Sequence, residues 1–463
     1  MAEASRKFQS PKGTRDFYPA DLAVRRHIEN VWRQTSINHG FEEIDGPTFE
    51  HLDLYTHKSG PAIASELFQV FSGKDPEQVA AIRKGENAPL ALRPEFTPTL
   101  ARMVAAKAAE LPRPIKWFAI PSHFRAEAPQ RGRLREFMQW NVDFIGDASP
   151  QADAEVIATA VRALSNLRLT PADVQVRVSN RVILIEAQRG YGTKESALPD
   201  LFDLIDKRSR LPGSEFNREA DARGLRDAVA VFDELSSALN NILYGGGKKT
   251  PAQTLTTVEF EVNGTVVEVD LEQLSDLWDI LGEIAILDWC KPDFSIVRGL
   301  AYYTGTVFEI IAEGERAIAG GGRYDKLIES FGGPSLPACG FGMGDVVLAN
   351  ILKDKGLLKP AEEYLPRPDA FVIAASDETA ARVPAIVADL RTHGGAGLHV
   401  RQSYKTTRNV GKLLGDAAKS RARYAVILGS ELAASPPRVA LKNLDSGEQI
   451  EIALDDLAAK LRG

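Results

Sequence analysis

In the stretch FMQWNVDFIG, residues 137–146, apolar and polar side chains alternate in a way that is typical of a β-strand. Because successive strand side chains point to opposite faces, the even-numbered residues from 138 to 144 form one fully apolar face. The opposite face carries Gln139, Asn141 and Asp143. Two interpretations of this polar face remain open: the solvated outer side of an antiparallel sheet, or the wall of a binding site.

A second strand-like run, residues 115–127, is joined to the first by the basic loop 128–136. The two runs predict a β-hairpin with a long loop. Its polar candidates are His123, Arg125 and Glu127, which share one strand face, and Arg131, Arg133 and Arg135 in the loop. Guanidinium groups offer paired donors to phosphate or carboxylate, so this pattern favours a polyphosphate ligand over a basic surface patch.

Two other segments hold candidate site residues. Glu95 and Thr97 lie at a predicted strand-to-helix junction. A carboxylate at such a junction can receive an ammonium group or merely compensate the positive helix start. Arg298, Tyr302 and Tyr303 lie between strand-like runs, although paired tyrosines more often belong to a core.

Glycine-rich turns occur in AGGGRYDKL, residues 319–327, and in CGFGMGD, residues 339–345. Glycine allows the backbone to approach a ligand closely. Neither turn matches the P-loop or the dinucleotide-binding glycine pattern, so each is a weak signal alone.

Changes in pattern divide the chain into domains. Residues 366–463 alternate strand-like and helix-like runs, which predicts a small α/β domain behind a proline-rich linker at 362–370. Residues 171–290 have a mixed pattern and predict an inserted domain. The first domain is then split between residues 1–170 and 291–360.

The composition excludes several protein classes. The chain has 463 residues, 44% of them hydrophobic and 26% charged, as in globular proteins of several domains. Its two cysteines, Cys290 and Cys339, argue against a disulfide scaffold or a zinc site and fit the cytoplasm. No apolar run reaches the roughly 20 residues that a membrane helix needs, and we expect no membrane contact. The net charge of −7 gives no support to nucleic-acid binding, although charge distribution matters more than the sum.

Six segments, taken together and in order, resemble the histidyl-tRNA synthetase family over nearly the whole chain. PKGTRDFYP resembles the opening of that family, HGFEEIDGPTFE resembles class II motif 1, and residues 117–146 resemble motif 2. LRPEFT, RGLAYYTGTVFE and GGRYDKL resemble segments of the histidine enzymes in particular. The C-terminal domain is similar to the anticodon-binding domain of several class II enzymes.

This resemblance implies an α+β fold. The expected parts are a class II synthetase antiparallel sheet with flanking helices, an inserted domain near the tRNA acceptor stem, and a C-terminal α/β anticodon-binding domain. It also implies a cytoplasmic homodimer whose substrates are ATP with Mg²⁺, L-histidine and tRNA(His). No protein ligand for a metal is predicted.

The resemblance further implies roles for single residues. Arg125 would bind the α-phosphate of ATP and Glu127 its adenine side. Arg133 and Arg135 would belong to the ATP site. Arg298 would lie opposite, near the histidine carboxylate and the α-phosphate, and would share the catalytic role with Arg125.

The substrate histidine would be held by a second group of residues. The resemblance assigns its ammonium group to Glu95, Thr97 and Gln139, its two imidazole nitrogens to Asp143 and Tyr303, and a further contact to Tyr302. A site built to hydrogen-bond a substrate rejects analogues that leave its own polar atoms unpaired.

Three positions depart from the family pattern. Motif 3 normally has an arginine that contacts ATP shortly after its glycines, whereas this chain has Asp345, Val346 and Val347. Our hypothesis is that one of three other arginines compensates: Arg131, Arg133 or Arg323. Ala301 stands where aspartate is usual, and Asp143 stands where the longer glutamate is common.

Two alternatives to an active ligase remain. One is a synthetase-like regulatory subunit of ATP phosphoribosyltransferase, favoured by the missing arginine but opposed by the C-terminal domain. The other is a tRNA-sensing module that binds without chemistry. The basic segment 401–423 has two possible interpretations. It would contact tRNA phosphates in a ligase or in a sensor, or it would be a solvated helix face without a partner.

Overall fold

The computed structural model describes residues 8–208, 211–244, 256–297, 303–392 and 397–462. The chain forms two compact units, residues 1–361 and 362–463. Within the described ranges, none of the helices combines the length and apolarity needed to cross a bilayer.

The first part of the larger unit contains the predicted hairpin and the helices around it. Its elements are α1 Pro19–Asn38, β1 Glu42–Glu43, β2 Phe49–His51, α2 Leu52–Ser59, β3 Gln69–Val70, α3 Pro76–Arg83, β4 Leu90–Leu92, α4 Thr97–Lys107, β5 Ile115–Ala119, β6 Ser122–Phe124, β7 Glu136–Ile145 and α5 Pro150–Asn166. The hairpin pairs β5 and β6 with β7 in antiparallel register. Helix α4 begins at Thr97 with proline next, where the missing N–H and fixed φ of proline are tolerated.

The middle of the chain, between residues 175 and 292, contains five α-helices and four strands among its described residues. Its elements are β8 Gln175–Asn180, α6 Arg181–Tyr191, α7 Leu198–Lys207, α8 Gly213–Ala222, α9 Arg226–Tyr244, β9 Thr257–Val262, β10 Thr265–Asp270, α10 Glu272–Glu283 and β11 Cys290–Pro292. Strands β8 and β11 pair in parallel and belong to the central sheet, whereas β9 and β10 form a separate hairpin. The predicted inserted domain, 171–290, therefore includes β8, a strand of the central sheet, and only the described residues between β8 and β11 add no strand to that sheet.

The larger unit closes with β12 Thr306–Ile311, β13 Ala319–Arg323, α11 Leu327–Ser330, β14 Ala338–Gly344 and α12 Asp345–Asp354. These strands complete a nine-stranded sheet in the order β1-β5-β7-β14-β13-β12-β8-β11, with β6 also paired to β7. Its central pairs are antiparallel, and its two edge pairs, β1–β5 and β8–β11, are parallel. The α+β class with an antiparallel sheet is confirmed.

Strand β7 is buried on both faces. Its apolar face packs under α1 and α5, where the rings of Trp140 and Trp32 stack 5.8 Å apart and the Trp140 indole donates to Ser36 Oγ at 2.9 Å. On the polar face, Asn141 and Asp143 are only 5% and 6% exposed. The solvated-face interpretation is therefore wrong.

The second unit is the predicted α/β domain. Its elements are β15 Ala370–Ala374, α13 Asp377–Ala380, α14 Val383–Thr392, β16 Val400–Gln402, α15 Val410–Lys419, β17 Tyr424–Leu428, β18 Arg438–Asn443, β19 Gln449–Ala453 and α16 Leu457–Arg462. The sheet order is β16-β15-β17-β18-β19, with β16, β15 and β17 parallel and the last two strands antiparallel. Helices α14 and α16 bury one face of this sheet, and Leu413 and Ala417 of α15 bury the other.

Arg323, at the end of β13, ties the central sheet to the start of α5. Its five N–H donors are all used: Nε and Nη2 donate to Asp153 at 3.0 and 2.8 Å, Nη1 to Asp147 O at 3.0 Å and to Asp325 at 3.3 Å, and Nη2 to Ser149 O at 3.1 Å. Both partners of the Arg323–Asp153 ion pair are buried. Such a pair is costly to break because the remaining charge lacks a partner.

Replacing Arg323 by methionine is expected to lower the free energy of unfolding of the larger unit by about 3–5 kcal/mol. All five tryptophans lie in that unit, so urea unfolding followed by tryptophan fluorescence reports on it selectively. The control is R189A, which removes the exposed Arg189–Glu195 pair and should cost at most about 1 kcal/mol. Equal losses in the two variants would contradict the structural role given to Arg323.

Candidate active site

A cavity of about 1190 Å³ opens above the centre of the nine-stranded sheet. Its floor includes Gly320 of β13 and Gly342 and Gly344 of β14, and the first two face each other across the strands. Without side chains on these residues, a ligand can lie directly against the backbone. Helix α7 and the turn between β12 and β13 contribute to the walls.

The glycines of β14 also make room for the polar face of β7. A Cβ at Gly342 would lie only 1.7 Å from Gln139 Nε2, and one at Gly340 would lie 2.6 Å from Asp143 Oδ1. Both distances are far below van der Waals contact. At Gly340 a Cβ would also lie 2.5 Å from the backbone oxygen of Val142, so only glycine fits there, whereas at Gly342 a Cβ would displace the end of the Gln139 side chain. The sequence GFGMG is therefore complementary to the sequence QWNVD of its neighbour.

Gln139 lines the cavity, and its buried Oε1 has no hydrogen-bond partner among the described residues. A buried amide oxygen without a partner is costly and fits a position that a ligand donor completes. The main-chain carbonyl oxygen of Gln139, in contrast, accepts a hydrogen bond from Asn141 Nδ2 at 3.2 Å.

Asp143 lies four residues further along the same face and accepts a hydrogen bond from the Tyr324 hydroxyl. Burial raises the pKa of Asp143 to about 7, against the smaller opposing effects of the Tyr324 bond and the Lys58 charge. Tyr324 lies within the GGRYDKL segment and has no role among the sequence-based predictions. The Tyr303 ring centroid is 6.5 Å from that of Tyr324, and burial raises the pKa of the Tyr303 phenol. Asp143, Tyr303 and Tyr324 therefore lie close together, and the contacts of Asp143 and Tyr303 with an imidazole stay predictions.

The Glu95 carboxylate lies 2.5 Å from the Lys58 ammonium group on α2. In the structure this carboxylate binds the ammonium group of Lys58, whereas the prediction assigned it the ammonium group of a substrate. No sequence signal pointed to Lys58. Thr97 is the half-buried first residue of α4, two positions after Glu95.

Two of the basic residues of the hairpin line the cavity, and a third, Arg135, bonds within the loop. Arg125 and Arg133 line the cavity. The Arg125 guanidinium lies 4.9 Å from the centre of the Phe137 ring and donates from Nε to Pro94 O at 3.2 Å, and burial lowers its pKa. Glu127 forms an ion pair with Arg133, and its carbonyl accepts from Arg135 Nε at 3.2 Å. Arg135 packs against Gly13, so these bonds hold the loop in place.

Arg298 and Tyr302 fall on residues 298–302, outside the described part of the chain. Their predicted contacts with histidine and with the α-phosphate remain predictions.

The motif 3 hypothesis fails for one of its three candidates. Arg323 cannot replace the missing arginine, because each of its N–H groups already has a partner at the start of α5 or in the turn after β13. Arg131 is exposed and forms ion pairs with Glu315 at 2.8 Å and Asp354 at 3.0 Å. Asp345 itself is buried and accepts from the Met138 N–H at 2.9 Å and from Arg15 at 2.7 Å, which fixes the start of α12 to β7.

Comparison with known proteins identifies relatives over the whole chain. A family model described as histidyl-tRNA synthetase matches residues 13–345, and one described as an anticodon binding domain matches residues 369–463. The chain is 36% identical over 466 residues to the histidine–tRNA ligase of Opitutus terrae, covering 98% of each protein. It is 35% identical to the chloroplastic/mitochondrial histidine–tRNA ligase of Arabidopsis thaliana, covering 96% of this chain and 85% of that one.

Solved structures are similar in fold. The crystal structure of histidyl-tRNA synthetase from Nostoc sp. PCC 7120 superposes with a TM-score of 0.72 at 24% identity, covering 99% of both chains. A structure from Bacillus halodurans C, described as an ATP phosphoribosyltransferase regulatory subunit/histidyl-tRNA synthetase, gives a TM-score of 0.63 at 21% identity, covering 92% of this chain and 99% of that one. At these identities the likeness concerns the fold alone.

The raised pKa of Asp143 predicts a specific pH dependence of stability. Because the folded-state pKa is about 7 and the unfolded value is near 4, the contribution of this carboxyl group is fully present below about pH 4 and is lost as the pH rises to 7. The free energy of unfolding of the wild type minus that of Asp143→Asn is expected to decrease across this range, in urea unfolding followed by tryptophan fluorescence.

The matched control is Asp147→Asn. Hydrogen bonding to Ser149 lowers the pKa of Asp147, so its contribution is lost only as the pH falls toward the lowered value. The corresponding difference should stay constant between about pH 5 and 7. A flat difference for Asp143→Asn as well would mean that its carboxyl group titrates normally.

Proposed function

The chain belongs to the histidyl-tRNA synthetase family, and on that premise we propose that it ligates histidine to tRNA(His) in two steps through histidyl-adenylate. ATP, L-histidine and tRNA(His) are converted to histidyl-tRNA(His), AMP and diphosphate. The observation that carries this proposal is the full-length similarity to histidine–tRNA ligases, together with a cavity whose floor joins bare glycines to Gln139.

In the first step, a histidine carboxylate oxygen attacks the α-phosphorus of ATP. The bond from phosphorus to the bridging oxygen breaks, and diphosphate leaves with its electron pair. The rate depends mainly on positioning and on stabilising the charge of the α-phosphoryl oxygens. We assign that stabilisation to Arg125, which lines the cavity, and to Arg298. In the second step the terminal ribose hydroxyl of tRNA attacks the acyl carbon and displaces AMP.

Histidine selection follows from the buried polar group around Asp143. A neutral imidazole has one donor and one acceptor nitrogen. Asp143 is proposed to accept from the first and the Tyr303 phenol to donate to the second, while Tyr324 orients Asp143. Glu95, Thr97 and Gln139 receive the substrate ammonium, which requires Lys58 to release Glu95 or to share it.

Glu127, Arg133 and Arg135 are proposed to hold ATP through the loop that they stabilise. Magnesium is proposed to enter with ATP. Mg²⁺ takes most of its ligands from phosphate and water and needs only one or two protein carboxylates. The bound ion would neutralise charge on the phosphates.

The other parts of the chain are assigned by their family counterparts. Within the predicted inserted domain, 171–290, the part between β8 and β11 is proposed to contact the tRNA acceptor stem. The two parts of the catalytic domain, predicted as 1–170 and 291–360, lie before and after it in the chain. Residues 366–463 are proposed to bind the anticodon. A cytoplasmic homodimer is proposed as the working form, as the resemblance of residues 39–50 to motif 1 implies.

The regulatory-subunit and tRNA-sensor alternatives are not better supported. The regulatory name belongs to a structure that shares only the fold, whereas the relatives above 30% identity are named histidine–tRNA ligases. The chain also contains the region that matches the anticodon binding domain.

Histidine-dependent exchange of label between diphosphate and ATP tests the activity directly. Purified protein with Mg²⁺ is expected to support exchange with histidine and with none of the other common amino acids. Gln139→Ala should raise the KM for histidine by about 10- to 100-fold, because a hydrogen bond to a charged group is lost. Absence of exchange in the wild-type protein would refute the ligase activity and favour a binding-only protein.

The second unit offers a separate test of tRNA binding. Of the seven cations in the basic segment, Lys405, Arg408 and Arg423 face Asp416, Asp377 and Asp369, and Arg421 bonds to Glu362 O. Exchanging Arg401, Lys412 and Lys419 together for alanine should raise the KM for tRNA at least about tenfold and weaken its dependence on salt. Exchange activity should be unchanged.

The control is Lys460→Ala, an exposed cation on α16 outside the basic segment. It should leave both activities at the wild-type level. If the triple variant charges tRNA normally, the segment is only a solvated surface.

A further inference from the structure

Five arginines line the cavity among the described residues: Arg125, Arg133, Arg177, Arg208 and Arg316. Three of them face carboxylates, since Arg133 pairs with Glu127, Arg177 with Asp293 at 3.0 Å, and Arg208 with Asp233. Arg125 donates from Nε to Pro94 O and lies over the Phe137 ring, and it is already assigned to the α-phosphate. Most of the positive charge in these walls is therefore already balanced or engaged by the protein.

Arg316 differs from the other four. It lies on the turn between β12 and β13, is exposed, and donates from Nη2 to the neutral amide oxygen of Gln130 at 2.7 Å. No carboxylate in the described part of the chain lies within ion-pair distance of it. A bond to a neutral amide is easier to exchange for a phosphate oxygen than an ion pair is.

Glu315, the residue before Arg316, forms its ion pair with a different arginine. Glu315 also lines the cavity, and it pairs with Arg131 at 2.8 Å. Arg131 bonds in addition to Asp354 at the end of α12. Arg131 therefore neutralises the acid beside Arg316 and leaves the Arg316 charge available to the cavity.

Arg316 reaches the wall at which the motif 3 arginine is missing. A Cβ at Gly132, whose φ is +75°, would lie 3.2 Å from Val347 Cγ2 and 3.8 Å from Arg316 Cδ. Gly132, Val347 and Arg316 thus meet at one place, and all three line the cavity. Val346 and Val347 bring no charge to this wall, whereas Arg316 brings one from the adjacent turn.

We propose that Arg316 binds the β- and γ-phosphates of ATP and replaces, from the β12–β13 turn, the cation that α12 lacks. The inference rests on the proposed function for the identity of the nucleotide. Arg125 is assigned to the α-phosphate, so Arg316 adds discrimination between ATP and AMP. On binding, its guanidinium exchanges the Gln130 amide for phosphate oxygens, to which it can donate two parallel bonds.

The test measures the affinities of the full-length protein for ATP and for AMP by isothermal titration calorimetry. Arg316→Ala is expected to weaken ATP binding about 10- to 100-fold, as for loss of a charged hydrogen bond, and to leave AMP binding within about twofold. In the exchange assay, the KM for ATP should rise while the KM for histidine stays unchanged. The matched control is Arg218→Ala, an exposed arginine on α8 outside the cavity lining.

A second variant introduces a positive charge on α12, next to the position that Arg316 occupies. Arg316→Ala combined with Val347→Arg should recover most of the lost ATP affinity, because the new guanidinium starts beside the same glycine. Arg316→Lys should recover part of it. Recovery of ATP affinity by these variants would exclude a merely structural role for Arg316.

The possible results separate the two claims. Unchanged ATP affinity in Arg316→Ala, or equal weakening of ATP and AMP binding, would overturn the role of Arg316. If Arg316→Ala selectively weakens ATP binding but the wild-type protein shows no histidine-dependent exchange, the phosphate contact is supported and the ligase activity is refuted.

Discussion

The pairing of β7 with β14 is the constraint on which the site depends. Strand β7 needs space on its polar face for Gln139 and Asp143, and β14 provides it with glycines at positions 342 and 340. The same glycines keep the sheet surface bare enough for a nucleotide to lie on it. The apolar face of β7 is fixed independently by Trp32 and Trp140 under α1. One strand therefore carries both the core and the binding site.

Charge balance determines which basic residues can act on a ligand. Arg323 and Asp153 neutralise each other in the interior, and Asp345 is held by Arg15 and a backbone N–H. These groups fix α5 and α12 against the sheet and have no capacity left for a substrate. Among the described arginines that line the cavity, Arg316 on the β12–β13 turn is the one whose hydrogen bond goes to a neutral side-chain amide.

Much of the architecture could be predicted from local pattern. The strand alternation at 137–146, the helix beginning at Thr97 and the α/β order of the second unit all depend on periodicity or on a proline in the first helical turn, which are local properties. The partners of charged residues could not be predicted in this way. Lys58 is 37 residues from Glu95, and Tyr324 is 181 residues from Asp143, so only the folded chain brings them together.

Local pattern along the chain specifies the polar and apolar faces of β7 and the types of side chain at the candidate site, and the order of the motifs indicates the family. Folding buries the polar face, surrounds Arg323 with its own partners, and places Arg316 in the cavity wall beside Val347. The difference is one of range, because alternation acts between neighbours along the chain, whereas burial and ion pairing depend on elements that meet only in the folded protein.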